Sequence, residues 1–383
     1  MIIKKKTPSM IPLFDNFEKQ SKAEWLAKVT KDLKGKPIES LDWALTDELT
    51  FPPFAHAEDR DHNFPPIFNN KNTNSWEMGA LVFVTDFKAA NTEAIQLLEA
   101  GANALCFHLT RTPSKSELTA LLDNIQMEWI STHFKVSQES WKQLTECFVA
   151  VIQEKGQDPK KVACSVDVAG SPISEAKELS HLREITKLLP KGHFLSVNTC
   201  NLFVKKEKIV EALAQTIHQG NQLLVALNKE GLDLKDYMHS IQFNISITDS
   251  YFVNIAALRA LRILWSQVVG AWEESLDKNA TIIVHLNEST QVADENYNKI
   301  KAGAQAMAAV IGGADRLYIY PSDAIENKGG SAFTQRIALN VQHLMQLESY
   351  MDRVVDPGAG SYYVEEMTER IGAGAWGRFC GMG

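Results

Sequence analysis

Cysteine is scarce and unpatterned in this chain. Its five residues (Cys106, Cys147, Cys164, Cys200 and Cys380) are odd in number, widely spaced and without a C-x-x-C pair. That excludes a disulfide framework and points to reduced thiols in a cytoplasmic protein. A basic surplus is missing as well. With 39 Lys and Arg against 47 Asp and Glu, the net charge is −8. No nucleic-acid partner is expected, because no excess cations exist to displace counterions from a polyanion. The opening MIIKKKTPSM is basic, but no apolar run follows that would make a signal peptide. No apolar segment approaches the ~20 residues needed to span a bilayer, so no membrane partner is expected either. Motifs for stand-alone chemistry are equally absent: there is no P-loop, H-E-x-x-H, G-x-S-x-G or EF-hand loop.

What is present is regular. Residues 241–269 carry the clearest pattern. IQFNISI alternates Phe243, Ile245 and Ile247 against Gln242, Asn244 and Ser246, the period of a strand. Asp249 or Ser250 is then placed to cap a helix. Along that helix Val253, Ala257, Ala260, Leu261, Leu264 and Val268 share one face, while Ile255, Arg259, Arg262 and Ser266 lie on the other. From Trp76 onward such units repeat. The strands read ALVFV, ALCFHL, MEWIST, VACSVDV, FLSVNTC, IQFNISI, TIIVHLN and RLYIYP, each followed by a helical pattern. Several are apolar on both faces, as buried parallel strands are. About eight such units predict an α/β fold, a closed (β/α)8 TIM barrel. A Rossmann-like sheet is the alternative, but no strand runs into G-x-G-x-x-G.

Residues 1–75 read differently, as an N-terminal extended and helical arm wrapping the barrel or a partner. Ser21 and Glu24 form a capping box opening a short helix with Trp25, Leu26, Val29 and Leu33 on one stripe, stopped at Gly35. Phe-Pro-Pro triplets at 51–53 and 64–66 force extended backbone. His56, Asp59, Asp61 and His62 have the chemistry of metal ligands but not their spacing, and read as a solvated loop. Residues 76–352 are assigned to the barrel and 353–383 to a tail. The tail ends in GAGAWGRFCGMG, too glycine-rich to hold a stable helix.

In a barrel of this kind chemistry sits at the strand C-termini. The candidates there are Asp167, Asn198, Cys200, Asn201, Asn244, His285, Asn287, Tyr320 and Asp323. Only His285 is an imidazole, with no acid or base partner by spacing, and amides cannot move protons near neutral pH. Gly312-Gly313 and Gly329-Gly330 suit either a phosphate or, more simply, a helix end and a turn. The pair Arg259 and Arg262 suits a carboxylate clamp or, more simply, packing in the outer helix ring.

Several runs together resemble the methylmalonyl-CoA mutase family. They are IAALRALRILW in the helix above, Phe333, Arg336, Ile337, Ala338, Asn340 and Gln342 of an F-x-x-R-I-A-x-N-x-Q pattern, AAVIGG at 308–313, and VDPGAGSYYVE. In the last, Gly358 and Ala359 stand where the family usually has Trp and Gly. The resemblance implies a barrel whose substrate, a CoA thioester, lies along the axis while a separate domain presents adenosylcobalamin. The family's site residues do not carry over. Its catalytic histidine falls on Asn201, the preceding tyrosine on Cys200, and a substrate-binding arginine on Ser240. A residual pocket would comprise His285, Asn287, Asn244 and Asp167. The cobalt-ligating D-x-H-x-x-G is not in the chain. The resemblance therefore implies the small subunit of a heterodimeric mutase. It would be non-catalytic, would bind no cofactor, and would stabilise a large catalytic subunit that carries the adenosylcobalamin. An autonomous barrel enzyme of other specificity and a CoA-thioester-binding module are the alternatives.

Overall fold

The computed structural model describes residues 18, 20–59, 67, 71–137, 140–169, 176–286, 288–327 and 329–382. They fall into two compact units, one within 1–63 and the other within 64–383.

In the first unit, helix α1 (Lys22–Asp32) opens on the capping box expected of Ser21 and Glu24. The Glu24 N–H donates to Ser21 Oγ at 3.2 Å and the Ser21 N–H donates to Glu24 Oε2 at 2.8 Å. The helix ends at two left-handed residues, Lys34 (φ 52°) and Gly35 (φ 89°). Its Trp25 ring lies against Phe54, centroids 3.6 Å apart. Strands β1 (Trp43–Thr46) and β2 (Leu49–Phe51) make an antiparallel hairpin on which Trp43 stacks on Phe51. The first Phe-Pro-Pro triplet ends β2, as a residue without an N–H must; the second lies outside the described residues. Asp59 accepts from the His56 N–H at 2.9 Å and pairs with Lys22, so it braces a turn. Asp61 and His62 lie outside the described residues.

The second unit is a parallel barrel. Its strands are β3 (Glu77–Val84), β4 (Ala104–Leu109), β5 (Ser131–Ser137), β6 (Ala163–Ala169), β7 (Gly192–His193), β8 (Leu195–Asn198), β9 (Ile241–Ser246), β10 (Thr281–Leu286) and β11 (Arg316–Ile319). They are ordered β7-β6-β5-β4-β3-β11-β10-β9-β8. The two ends of that order, β7 and β8, are one strand interrupted at Phe194, so the ring closes on eight strand positions. The Phe194 N–H, lost to the ladder at the break, donates instead to Ser240 Oγ at 2.9 Å. Helices α2 (Phe87–Glu99), α3 (Lys115–Leu121), α4 (Trp141–Glu154), α5 (Ala176–Leu188), α6 (Ile209–Lys229), α7 (Tyr251–Trp272), α8 (Glu295–Ile311) and α9 (Ala332–His343) each follow a strand and surround it.

Four local expectations are corrected. MEWIST is strand only in its last two residues: the third barrel strand is Ser131–Ser137, STHFKVS, and Trp129 is left 81% exposed. A strand must present one face to the axis and one to the helices, and STHFKVS does so with His133 and Lys135 inward. Neither Asp249 nor Ser250 caps α7 by its side chain. The Asn254 amide instead pins the preceding turn to the helix, accepting from the Thr248 N–H at 2.9 Å and donating to the Thr248 carbonyl at 2.8 Å. Asn298 makes the same pair of bonds with Val292 at the start of α8. Third, α7 is in fact long and apolar enough to cross a membrane by length and composition, but 78% of that stretch is buried inside the fold.

The fourth concerns the tail, whose glycine-rich stretch is helical as part of α10 (Tyr362–Cys380). Its glycines are the means rather than the obstacle. A Cβ on Gly374 would stand 3.2 Å from Val210 of α6, and one on Gly372 3.7 Å from Ala260 of α7. Small residues let the helix approach closely and bury Ile371 and Ala375 completely. Packing of that kind outweighs an intrinsic cost of about 1 kcal/mol per glycine.

Candidate functional site

The interior of the barrel is built in two polar layers separated by an apolar one. At the N-terminal end Arg316 of β11 is 5% exposed and pairs with Glu77 of β3, which also accepts from Ser131. His133 Nε2 stands 3.8 Å from the same carboxylate, and His133 Nδ1 meets Ser165 Oγ at 2.7 Å. Above this lies a cluster of Leu81, Cys106, Ile283 and Tyr318. Gly79 makes the cluster possible. Its missing Cβ would fall 2.4 Å from the Tyr318 ring, so the ring occupies the space over β3 that a side chain would have taken. Side chains therefore fill the axis at mid-height.

The upper layer holds the residues the sequence nominates. His285 stacks on Tyr318 with centroids 5.0 Å apart. Its Nε2 lies 2.9 Å from Asn244 Oδ1, the Asn244 amide donates to Ser196 Oγ at 2.7 Å, and Ser196 donates to Asp167 Oδ1 at 3.0 Å. Asn198 donates to the second Asp167 oxygen at 2.5 Å. Every donor in this row points toward Asp167, so His285 carries its proton on Nε2. Burial, and then the positive charge of Lys135, His108 and Arg316, holds its pKa well below 6.5. Burial pushes the Asp167 carboxyl up, against the opposing pull of Lys135 and its two hydrogen bonds. An amide between imidazole and carboxylate blocks proton transfer, so the row is a brace rather than a relay.

The remaining candidates scatter. Cys200 adjoins the row through its N–H to Asn198 Oδ1, and burial pushes its thiol up to about 12, so it stays an unreactive thiol. Asn201 is exposed in the following turn. Ser240 lies at the opposite, N-terminal end of β9, where it holds Phe194. Asn287 lies outside the described residues. Tyr320 packs edge-on to Phe83, and Asp323 accepts from Thr334 Oγ1 at 2.6 Å and the Ser331 N–H at 3.0 Å, fixing the turn before α9. Gly312 and Gly313 end α8, while Gly329 and Gly330 (φ 97° and 76°) form a turn, the simpler of the two readings for each pair. Among the described residues no cluster of His, Cys, Asp or Glu could hold a metal ion.

Arg259 and Arg262 combine both roles considered for them. Both are buried, at 1% and 6% exposure. Arg259 binds Asp356 through two nitrogens (2.9 and 3.0 Å), Glu365 at 2.9 Å and Thr368 at 2.9 Å. Arg262 reaches Asp315 at 2.8 Å and the carbonyls of Ala280 and Gly313. The carboxylates clamped are the chain's own. IAALRALR is thereby joined to VDPGAGSYYVE, two stretches that sequence pattern alone sets about a hundred residues apart.

The family model for methylmalonyl-CoA mutase matches residues 179–381, a span that includes both of those stretches. The chain belongs to the methylmalonyl-CoA mutase family. It is 30% identical over 395 residues to the methylmalonyl-CoA mutase small subunit of Porphyromonas gingivalis, covering 96% of this chain and 63% of that protein. It is 24% identical to the corresponding small subunit of Propionibacterium freudenreichii subsp. shermanii, covering 97% of this chain and 63% of the relative. The chain thus spans under two thirds of the length of either relative. Among solved structures, dihydropteroate synthase of Xanthomonas albilineans aligns with 71% of this chain and 93% of its own, at 12% identity and a TM-score of 0.41. In this mutase-family barrel two of the runs that identify the family, IAALRALR and VDPGAGSYYVE, form one structural joint.

Sequence reasoning missed a group on the other side of the mouth. Lys135 lines a cavity of about 700 Å³ together with Phe83, His108, Glu93 and Gln335. The signal was available: Lys135 alternates with Phe134 and Val136 on a strand, hidden by placing that strand on MEWIST.

The buried imidazoles give a pH prediction. Burial lowers His133 and His285 well below 6.5 and His193 to about 4. All three are neutral in the folded chain, whereas the unfolded chain protonates them near 6.5. Below that pH the unfolded state binds more protons, so stability is lost as pH falls from 6.5 toward 4. The raised Asp167 acts in the opposite sense, and a His193→Gln variant isolates the imidazole part. The denaturant midpoint should drop between pH 7 and pH 5, less steeply in that variant. A flat profile overturns the assignment.

Proposed function

We propose that this chain is the non-catalytic small subunit of a cytoplasmic, heterodimeric methylmalonyl-CoA mutase, and that it supports a larger subunit carrying out the methylmalonyl-CoA/succinyl-CoA isomerisation. The observation that carries this reading is the filled axis. The family's substrate is expected along the barrel, and here Tyr318 over Gly79 and the braced row above it take up that path. These 383 residues contain no D-x-H-x-x-G, the run whose histidine would ligate cobalt. The reading accordingly gives the cofactor to the partner, and no chemical step is assigned here.

Support for a partner comes from the surface. Ile300 on α8 is 74% exposed, and Leu347 and Tyr350 beyond α9 are 62% and 58% exposed. Large apolar side chains left in water on an outer face are commonly covered by another protein. The N-terminal unit, with Trp25 37% exposed, is the natural arm for wrapping it. An interface of that kind buries well over ~2,000 Å².

Co-expression with a large mutase subunit should give a 1:1 complex that survives size-exclusion chromatography. The chain alone, supplied with adenosylcobalamin and methylmalonyl-CoA, should not turn over. Turnover by the isolated chain, or failure of the two subunits to associate, overturns the proposal.

A further inference from the structure

The cavity beside Lys135 has a built character that the supporting role does not use. It lies at the C-terminal mouth between the ends of β3, β4 and β5, walled by α2 and by the turn leading to α9. At about 700 Å³ it falls within the range of small-molecule sites. Phe83, His108 and Lys135 stand side by side on neighbouring strands, in register, and the Phe83 and His108 rings are 4.5 Å apart. Next in the same register is Asp167, the obvious counter-ion for Lys135. Both Asp167 oxygens accept from Ser196 and Asn198, and Lys135 acts on that carboxylate through space rather than in a hydrogen-bonded pair. A half-buried ammonium is thus left facing the cavity.

The opposite wall is organised too. Gln335 donates to Glu93 Oε1 at 2.6 Å and to the Gly329 carbonyl at 2.8 Å, tying the glycine turn to α2. Burial raises the Glu93 carboxyl. Between the two walls the lining mixes apolar Phe83, Val136 and Ala332 with the hydroxyls of Thr85, Thr110 and Ser137.

We propose that this cavity binds a small organic monocarboxylate with an apolar body. Its carboxylate sits on Lys135 and His108, and its body lies against Phe83 and Val136. One ammonium facing one carboxylate-bearing wall matches a single negative charge. A phosphate dianion would bring a second negative charge to the same single ammonium. The proposal is independent of the supporting role and stands or falls on the cavity itself.

The test uses isothermal titration of the full chain with 4-phenylbutyrate, its neutral isostere 4-phenylbutyramide, inorganic phosphate and coenzyme A. The acid should bind one equivalent per chain, at least tenfold tighter than the amide or phosphate. Lys135→Met should weaken it at least tenfold with an unchanged melting temperature, and Lys135→Arg should hold it within threefold of the native chain. Should the lysine variants fold poorly, Ala332→Trp, which fills the apolar wall, should abolish binding. Equal binding of acid and amide, preference for phosphate or coenzyme A, indifference to Lys135→Met and Ala332→Trp, or no binding by the acid each overturn the proposal.

Discussion

Replacing Arg259 by methionine is expected to cost the fold about 3–5 kcal/mol, because it strands two buried carboxylates without a cation. Asp356 is 8% exposed and Glu365 is 3% exposed, and both are held by the one guanidinium. The planar fork meets Asp356 through Nε and Nη2, and the second N–H of Nη2 reaches Glu365, a geometry lysine cannot supply. The joint also seats α10 on α7, so its loss should expose the last helix first. Urea denaturation of Arg259→Met should show the shifted midpoint, and limited proteolysis should cut near residues 370–380 before elsewhere. Adding Asp356→Asn and Glu365→Gln to the same chain should recover part of the stability, since the orphaned charges are then gone. A loss below about 1 kcal/mol on Arg259→Met would show that the joint is not what holds the tail.

Tyr318→Ala should be comparably severe, at about 3–5 kcal/mol, since it removes a large fully buried ring and leaves a cavity on the barrel axis. The ring is 1% exposed, fills the gap over Gly79 and carries the stacked His285. Tyr318→Phe keeps the ring and should cost under about 1.5 kcal/mol. Gly79→Ala attacks the same contact from the other side, pushing a methyl to 2.4 Å from the ring and 2.8 Å from the Leu317 carbonyl. The backbone there cannot yield, so that variant should be destabilised as well. If Tyr318→Ala melts within a degree or two of the native chain, the axis is not packed as described. The filled-axis argument for a supporting subunit then falls with it.

Much of the architecture was legible before any coordinates. A period-2 run followed by a period-3.6 run, repeated from residue 76, leaves few solutions besides a closed parallel barrel, because each crossover must be right-handed and each strand buried on both sides. The capping box at Ser21 and the buried helix of residues 251–272 were readable for the same local reason. MEWIST and STHFKVS overlap at Ser131 and Thr132, and the first is the more apolar, so pattern alone favoured the wrong bounds and Lys135 went unnoticed as a result.

Sequence by itself determined the fold class and the family, because both rest on periodicity and on runs of residues read along one dimension. Only the tertiary structure decided what those residues do. Arg259 had no visible partner until Asp356 and Glu365, some hundred positions on, were brought to it. The glycines of α10 read as helix breakers until their neighbours came within 4 Å. The rings and amides at the strand ends became a brace only when four strands placed them in hydrogen-bond reach. In each case the deciding energy comes from contacts between residues distant in sequence, and propensity along the chain carries no record of them.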